Sequence, residues 1–519
     1  MKKIFYSIIS FVTLTMGSCS QSMLEFSPTD SGSAEELLKA ASTAITSVNG
    51  VYRSMWTAGW STTGNTHQCF GIAAYNLALD VMADDLIMQS QGNGWFWGDH
   101  CYNVKSNYTS SAFRSYDVWY ANYKWIANVN YIIDAEPEMA GTEADVAYVA
   151  GQAYAIRALC YLNLATWFSR APYNSLTGAS RWNEPCVPVY TTGTSIDTGG
   201  QPRESLRTVY GRIDQDIDRA IELLEKARET TLAENNKSHI NLYVALGIKS
   251  RACLAEGDWD GAFKAAKRVI DEGGYAVGTK SDLTGGMNSL DKQNVMWGAG
   301  IQVADQAGGY AGFFTHMDNK EGAYAKSAPK LISKQLYNRI SATDIRRDWW
   351  DPSDKESPYV SKKFSFANVA SFLGDYIYMR VEEMYFTAAE AALRLDDLKS
   401  ARELMNTVMA ERDPGYSANN RSGTLLGATT TTWTGSFLEN ILTHRRIELW
   451  GEYGRLFDVR RLGQGIDRRT DDGFSEECIS MMNRRNVNIT KADTYDWVLT
   501  IPKAELDANP NINEEDQNP

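Results

Sequence analysis

The chain has 519 residues, 43% of them hydrophobic and 22% charged, an ordinary globular composition with length enough for a very large core. Its 51 basic and 64 acidic residues leave a formal charge of −13, which excludes nucleic-acid binding by bulk charge, because phosphate neutralisation needs a basic face. Aromatics reach 11%, with 15 Trp and 27 Tyr, and exposed rings are the usual platform for sugars and other apolar faces.

The N-terminus reads as an export signal. Lys2 and Lys3 form a positive n-region, and Ile4 to Met16 is an apolar stretch too short to span a bilayer comfortably. Met16-Gly17-Ser18-Cys19 then looks like a bacterial lipobox. On that reading residues 1–18 are a lipoprotein signal peptide, and Cys19 carries the acyl chains that anchor the protein. No later segment is apolar enough to cross a membrane.

The body is expected to be mainly α, a tetratricopeptide-like scaffold of helical pairs with long irregular insertions. Ser33–Trp56 and Phe113–Ala135 supply one pair, and Val149–Phe168 with Leu206–Ala227 a second. From Asn241 the apolar positions Leu242, Ala245, Leu246 and Cys253 follow a 3.6-residue period. Gly257-Asp258 makes a turn with a capping residue, and a second helix follows through Trp259, Ala262, Phe263, Ala266 and Val269. A shift of 139 residues reproduces the pattern: Ala252 falls on Ala391, Leu254 on Leu393, Ala262 on Ala401 and Val269 on Val408, with Asp396-Asp397 as the turn. The pairs are scattered, so they must meet in three dimensions. Insertions at about 57–112, 169–204, 274–375 and 413–435, rich in Gly and aromatics, read as loops carried on that scaffold.

Signals for chemistry are sparse. The closest of the six remaining cysteines lie 26 apart, so there is no C-x-x-C; a Cys69–Cys101 disulfide is compatible with export but spacing does not establish it. There is no G-x-S-x-G, no P-loop, no dinucleotide fingerprint and no H-E-x-x-H. Asp214-Gln-Asp216-Ile-Asp218 imitates the start of a calcium loop but lacks its glycine and runs on into a helix. No feature points to an enzyme. The basic run Arg445, Arg446, Arg455, Arg460 and Arg461 is interleaved with acids and apolar residues, and reads as buried ion pairing.

Several stretches carry a family resemblance. They are TAITSVNGVYRSMW leading into AYNLALDVMADDLIMQSQGNGWFWGDH, then GQAYAIRALCYLNLATWFSRAPY, then LTHRRIELWGEYGRLFDVRRLG, and finally TIPKAELDANPNINEEDQNP. Together with the interrupted helical pairs they resemble the SusD/RagB family of outer-membrane nutrient-binding lipoproteins of Bacteroidota, over essentially the whole chain. The resemblance implies one SusD-like domain over 19–519, with ligand-binding insertions at about 57–112 and 274–375. It implies a non-enzymatic protein, lipid-anchored at the outer membrane and facing the exterior, that captures oligosaccharides and passes them to a SusC-like TonB-dependent β-barrel. The RagB branch implies the alternative of peptide capture. No cofactor is implied, and a structural cation in a loop is left open.

Sugar binding needs a ring face for stacking and polar groups for the hydroxyls. The expected site is Ala83–His100, where Gly92, Gly94 and Gly98 surround Trp95, Phe96 and Trp97. In an extended segment Trp95 and Trp97 share a face, so either is a stacking platform, with Asp84 or Asp85 taking hydroxyls. On this reading the double replacement of Trp95 and Trp97 by Ala removes binding and leaves the fold intact. The competing reading packs the cluster under its own loop. A second candidate is the Gly-aromatic loop with Tyr310 and Phe313. Trp167, Trp297, Trp349, Trp350 and Trp450 read as packing residues.

Overall fold

A computed structural model of the chain describes residues 34–57, 65–103, 113–195, 197–233, 237–305, 311–492 and 494–519. The lipidation candidate Cys19 and the candidate Tyr310 lie outside the described residues. In chain order the principal helices are α1 (Ala41–Ser54), α2 (Ile72–Met82), α3 (Phe113–Ala135), α4 (Glu143–Phe168), α5 (Leu206–Lys226), α6 (Leu242–Glu256), α7 (Trp259–Glu272), α8 (Val381–Arg394), α9 (Leu398–Ala410), α10 (Phe437–Glu448) and α11 (Arg455–Leu462).

Local chemistry sets the boundaries. Thr142, Ser205, Asn241, Asp258, Asp397 and Ser436 each accept a backbone N–H in the first turn of the helix they open. Gly257 ends α6 at φ +77°, and a Cβ there would lie 2.5 Å from the Tyr173 ring, so the turn needs glycine on both counts. Asp396 takes the equivalent place between α8 and α9, at φ +61°.

The helices stack in sequence. α1 packs on α3 and α4, α3 on α4, α4 on α5, α5 on α6, and α6 on α7. The chain then leaves for about a hundred residues and returns to lay α8 against α7, with α9 and α10 on α8. The two pairs related by the 139-residue shift therefore meet, and Cys253, Leu254, Ala262 and Ala391 form a small apolar cluster at their junction. Close approach uses small residues: a Cβ on Gly151 of α4 would sit 2.9 Å from Leu224 Cγ of α5.

The insertions carry more regular structure than expected. Segment 57–112 holds α2, ten of whose eleven residues are buried. Segment 274–375 builds small antiparallel sheets. β1 (Leu86–Met88), β3 (Lys330–Ile332), β5 (Val360–Ser361) and β4 (Trp350–Asp351) lie in that order, while β2 (Val295–Ala299) pairs with β6 (Tyr376–Arg380). Trp167, Trp297, Trp349, Trp350 and Trp450 are all buried. The six cysteines among the described residues are buried and free, Cys69 and Cys101 included.

Candidate functional site

The site begins with strand register. Antiparallel pairing of β1 with β3 sets Met88 opposite Lys330, which brings the loop after β1 against residues 324–330. Gly92 makes the contact at φ +49°; a Cβ there would lie 2.6 Å from the Ser327 carbonyl oxygen.

The aromatic triplet is not extended. Phe96 sits in the left-handed region at φ +61°, a conformation that costs an L-residue roughly 1–2 kcal/mol. Its surroundings hold it there. Its N–H donates to Gln68 Oε1 at 2.8 Å, and its buried ring meets His316 edge-on at 5.0 Å and Phe70 at 6.1 Å. The reversal separates the flanking rings. Trp97 opens a short helix, Trp97–His100, is 4% exposed and lies against His100. Trp95 stays half-buried. The expectation that both indoles share a face is thus corrected: Trp97 is a core residue and Trp95 is the one presented.

Trp95 is held on the inside. It stacks on the His67 ring at 4.9 Å and 21°, and the Tyr324 ring lies 6.0 Å away at 61°. The Tyr324 hydroxyl lies 2.6 Å from His67 Nδ1. His316 Nε2 is 2.6 Å from the His67 carbonyl oxygen, so Nε2 carries the proton and donates. Burial, with Lys330 nearby, pushes His316 well below its ordinary pKa, so it stays a neutral imidazole. The indole is therefore orientationally fixed before any ligand arrives, which reduces the entropy lost on binding.

Asp84 and Asp85, expected to take sugar hydroxyls, are interior residues. They are 4% and 2% exposed, at the step from α2 to β1. Arg446 Nη2 donates to Asp84 Oδ2 at 2.9 Å and to Asp85 Oδ1 at 2.6 Å. Arg455 Nε lies 3.1 Å from Asp84 Oδ1 and 3.0 Å from Asp85 Oδ2. Burial works against the charge, but the guanidiniums of Arg446 and Arg455 outweigh it and hold the Asp84 carboxyl below its usual range. Two acids and two arginines close on one another in the interior, so burial rather than a lack of lone pairs keeps these carboxylates from the surface. Phe313 is also a packing residue, set edge-on to Phe314 at 5.3 Å and to Phe364 at 5.1 Å. His67 and Tyr324, which hold the platform, went unmarked in the sequence: each is a lone polar aromatic, and only the fold brings them together. Among the described residues no group of three or more His, Cys, Asp or Glu is placed to hold a metal ion, and no helix is long and apolar enough to cross a membrane.

The molecule is thus a mainly α scaffold that carries its candidate site on an insertion. Two family models cover most of the chain between them: "SusD family" on residues 326–519, and "starch-binding associating with outer membrane" on residues 61–254. The chain belongs to the SusD family, a family of non-catalytic binding proteins. No curated protein matches the sequence. Solved structures share the fold. A SusD-like carbohydrate binding protein from Bacteroides vulgatus is 24% identical with a TM-score of 0.73, over 92% of this chain and 98% of that one. A SusD superfamily protein from Bacteroides thetaiotaomicron is 22% identical with a TM-score of 0.72, over 92% of this chain and 100% of that one. Surface glycan-binding protein A from Bacteroides thetaiotaomicron, in complex with laminarihexaose, is 16% identical with a TM-score of 0.63, over 92% and 99%.

Proposed function

We propose that this protein is a glycan-binding lipoprotein of the outer membrane that captures oligosaccharides and delivers them to a SusC-like TonB-dependent transporter, with Trp95 as the stacking platform. The observation that carries the reading is the half-buried Trp95 indole, stacked on His67 at 4.9 Å and so fixed in place. A fixed ring suits the flat C–H face of a sugar, and no basic cluster is needed for a neutral glycan. Two comparisons support it. The starch-binding family model spans the Trp95 loop, and a protein of this fold is described in complex with laminarihexaose. In this reading Cys19 bears the lipid anchor, and the body faces the cell exterior beside the barrel.

The test is titration of the protein lacking residues 1–20 with a panel of oligosaccharides, including laminarihexaose and maltohexaose, and with a random peptide pool. Trp95→Ala is expected to weaken binding of the recognised glycan by at least about tenfold in a protein that still folds, with a smaller loss of stability than Trp97→Ala. Trp97→Ala, by contrast, opens a core cavity and costs about 3–5 kcal/mol of stability, so the double variant does not isolate the site. Glycan affinity indifferent to Trp95→Ala would sink the platform. Peptide binding with silence on every glycan would move the protein to RagB-like peptide uptake.

A further inference from the structure

A second aromatic recess lies away from the Trp95 loop and shares no residue with it. It has a volume of about 460 Å³ and opens between α3, the residues Tyr190, Thr194, Ser195 and Thr198, and the helix Lys503–Ala508. Its size falls within the range of small-molecule sites. Trp119, Tyr120 and Tyr123 of α3 line one side and Tyr190 another. Trp119 and Tyr123 lie 4.9 Å apart, and Tyr190 meets Tyr123 edge-on at 5.9 Å. Tyr120 is half-buried and stacks on Tyr116 at 5.5 Å and 10°, backed from its own helix as Trp95 is backed by His67.

The polar groups around these rings are both acceptors and donors. Glu505 accepts from Trp119 Nε1 through Oε2 at 3.2 Å and from Asn509 Nδ2 through Oε1 at 2.8 Å, and each carboxylate oxygen has a further lone pair. Thr198 Oγ1 accepts the Ser195 N–H at 2.8 Å, and Ser195 Oγ accepts the Asp197 N–H at 3.2 Å, so both hydroxyl hydrogens are available to donate. Lys124 Nζ lies 5.8 Å from the centre of the Tyr120 ring. A hydroxyl both donates and accepts, and a pyranose adds an apolar C–H face. One acid and one base balance, which favours a neutral ligand over an ion.

We propose that this recess is a second sugar-binding site, with Tyr120 as its platform and Glu505, Ser195 and Thr198 as its hydroxyl partners. It rests on the glycan reading above, and adds a subsite for a separate ring of the captured chain. Trisaccharides are the probes, because a short chain carries few rings.

Laminaritriose and maltotriose are titrated into the full chain in detergent, as wild type, Trp95→Ala, Tyr120→Ala and Tyr120→Phe. Wild type is expected to bind two equivalents of the recognised sugar and each Ala variant one, while Tyr120→Phe, which keeps the ring, regains two. A wild-type stoichiometry of one, lost in Trp95→Ala and untouched by Tyr120→Ala, overturns the second site and leaves the first standing. One equivalent lost only in Tyr120→Ala overturns the Trp95 assignment instead. Silence toward both sugars overturns the proposal.

Discussion

Lys330 shows what a single side chain costs behind the candidate site. It is 1% exposed, and Nζ donates to the Ala328 carbonyl at 2.6 Å. Among the described residues no carboxylate pairs with it. Burial pushes the amine down to about 7. The unfolded chain keeps that proton to about pH 10.4. Between the two values the unfolded state binds more protons, so stability rises with pH; below about 7 both states are charged and the penalty is fully present. Lys330→Met removes the charge at similar length. The variant is expected to be about 1–4 kcal/mol more stable than wild type at pH 6, with the gap closing toward pH 10. Urea unfolding at pH 6, 8 and 10 reads this directly, and a gap that ignores pH would show that charge is not what the site resists.

At the scale of elements, the repeated turns behave as one design written twice. Asp258 accepts the Gly261 N–H at 3.0 Å and Asp397 accepts the Ser400 N–H at 3.0 Å, 139 residues apart. Asp258→Ala and Asp397→Ala are each expected to cost about 1 kcal/mol, the usual value of an N-cap; thermal unfolding of both checks it, and loss at one position alone would break the equivalence. These helices were legible in the sequence because caps and a 3.6-residue period are local. α2 was not, since IAAYNLALDVM is apolar on nearly every side and buried on ten of its eleven positions, which erases the period. The same limit hid the site's geometry. Phe96 takes its left-handed turn because Gln68, Phe70 and His316 receive it, and no tripeptide shows that. Asp84 and Asp85 looked free because their arginine partners lie some 360 residues further on. Of the two indoles offered by the Gly-rich loop, Trp95 is half-buried and Trp97 is buried.

Across the whole molecule, the segments that fix the insertions to the scaffold are joined by buried charge. Glu448, at the end of α10, accepts from Arg346 Nη1 at 3.0 Å, Arg380 Nη1 at 2.9 Å and Arg412 Nε at 3.0 Å. Arg380 and Lys363 share Glu452, Arg412 reaches Glu382, and Arg346 pairs with Asp344. Four cations thus face four carboxylates, drawn from the ends of β6, α9 and α10, the first turn of α8 and the intervening loops. Next to it Arg445 and Arg461 share Asp458, and Arg461 also holds Glu390. The basic run of the sequence is therefore structural, as its interleaving with acids implied. Such a balanced network is worth little more than an apolar core while intact, but it is costly to unbalance. Burial opposes the charge on Glu448, yet Arg412, Arg380 and Arg346 hold its carboxyl well below the ordinary value. Its contribution is present above about pH 4.5 and is lost as pH falls toward the folded value. Glu448→Gln keeps the shape and strands one positive charge, so it is expected to cost about 3–5 kcal/mol at pH 7 and to flatten the loss of stability between pH 5 and pH 2. Asp260→Asn breaks the surface pair with Lys264, whose side chains are 59% and 73% exposed, and is expected to be nearly silent because solvent screens it. Urea midpoints of both variants across that pH range decide the matter, and a Glu448→Gln protein no weaker than Asp260→Asn would mean that the buried network does not hold the insertions to the helices.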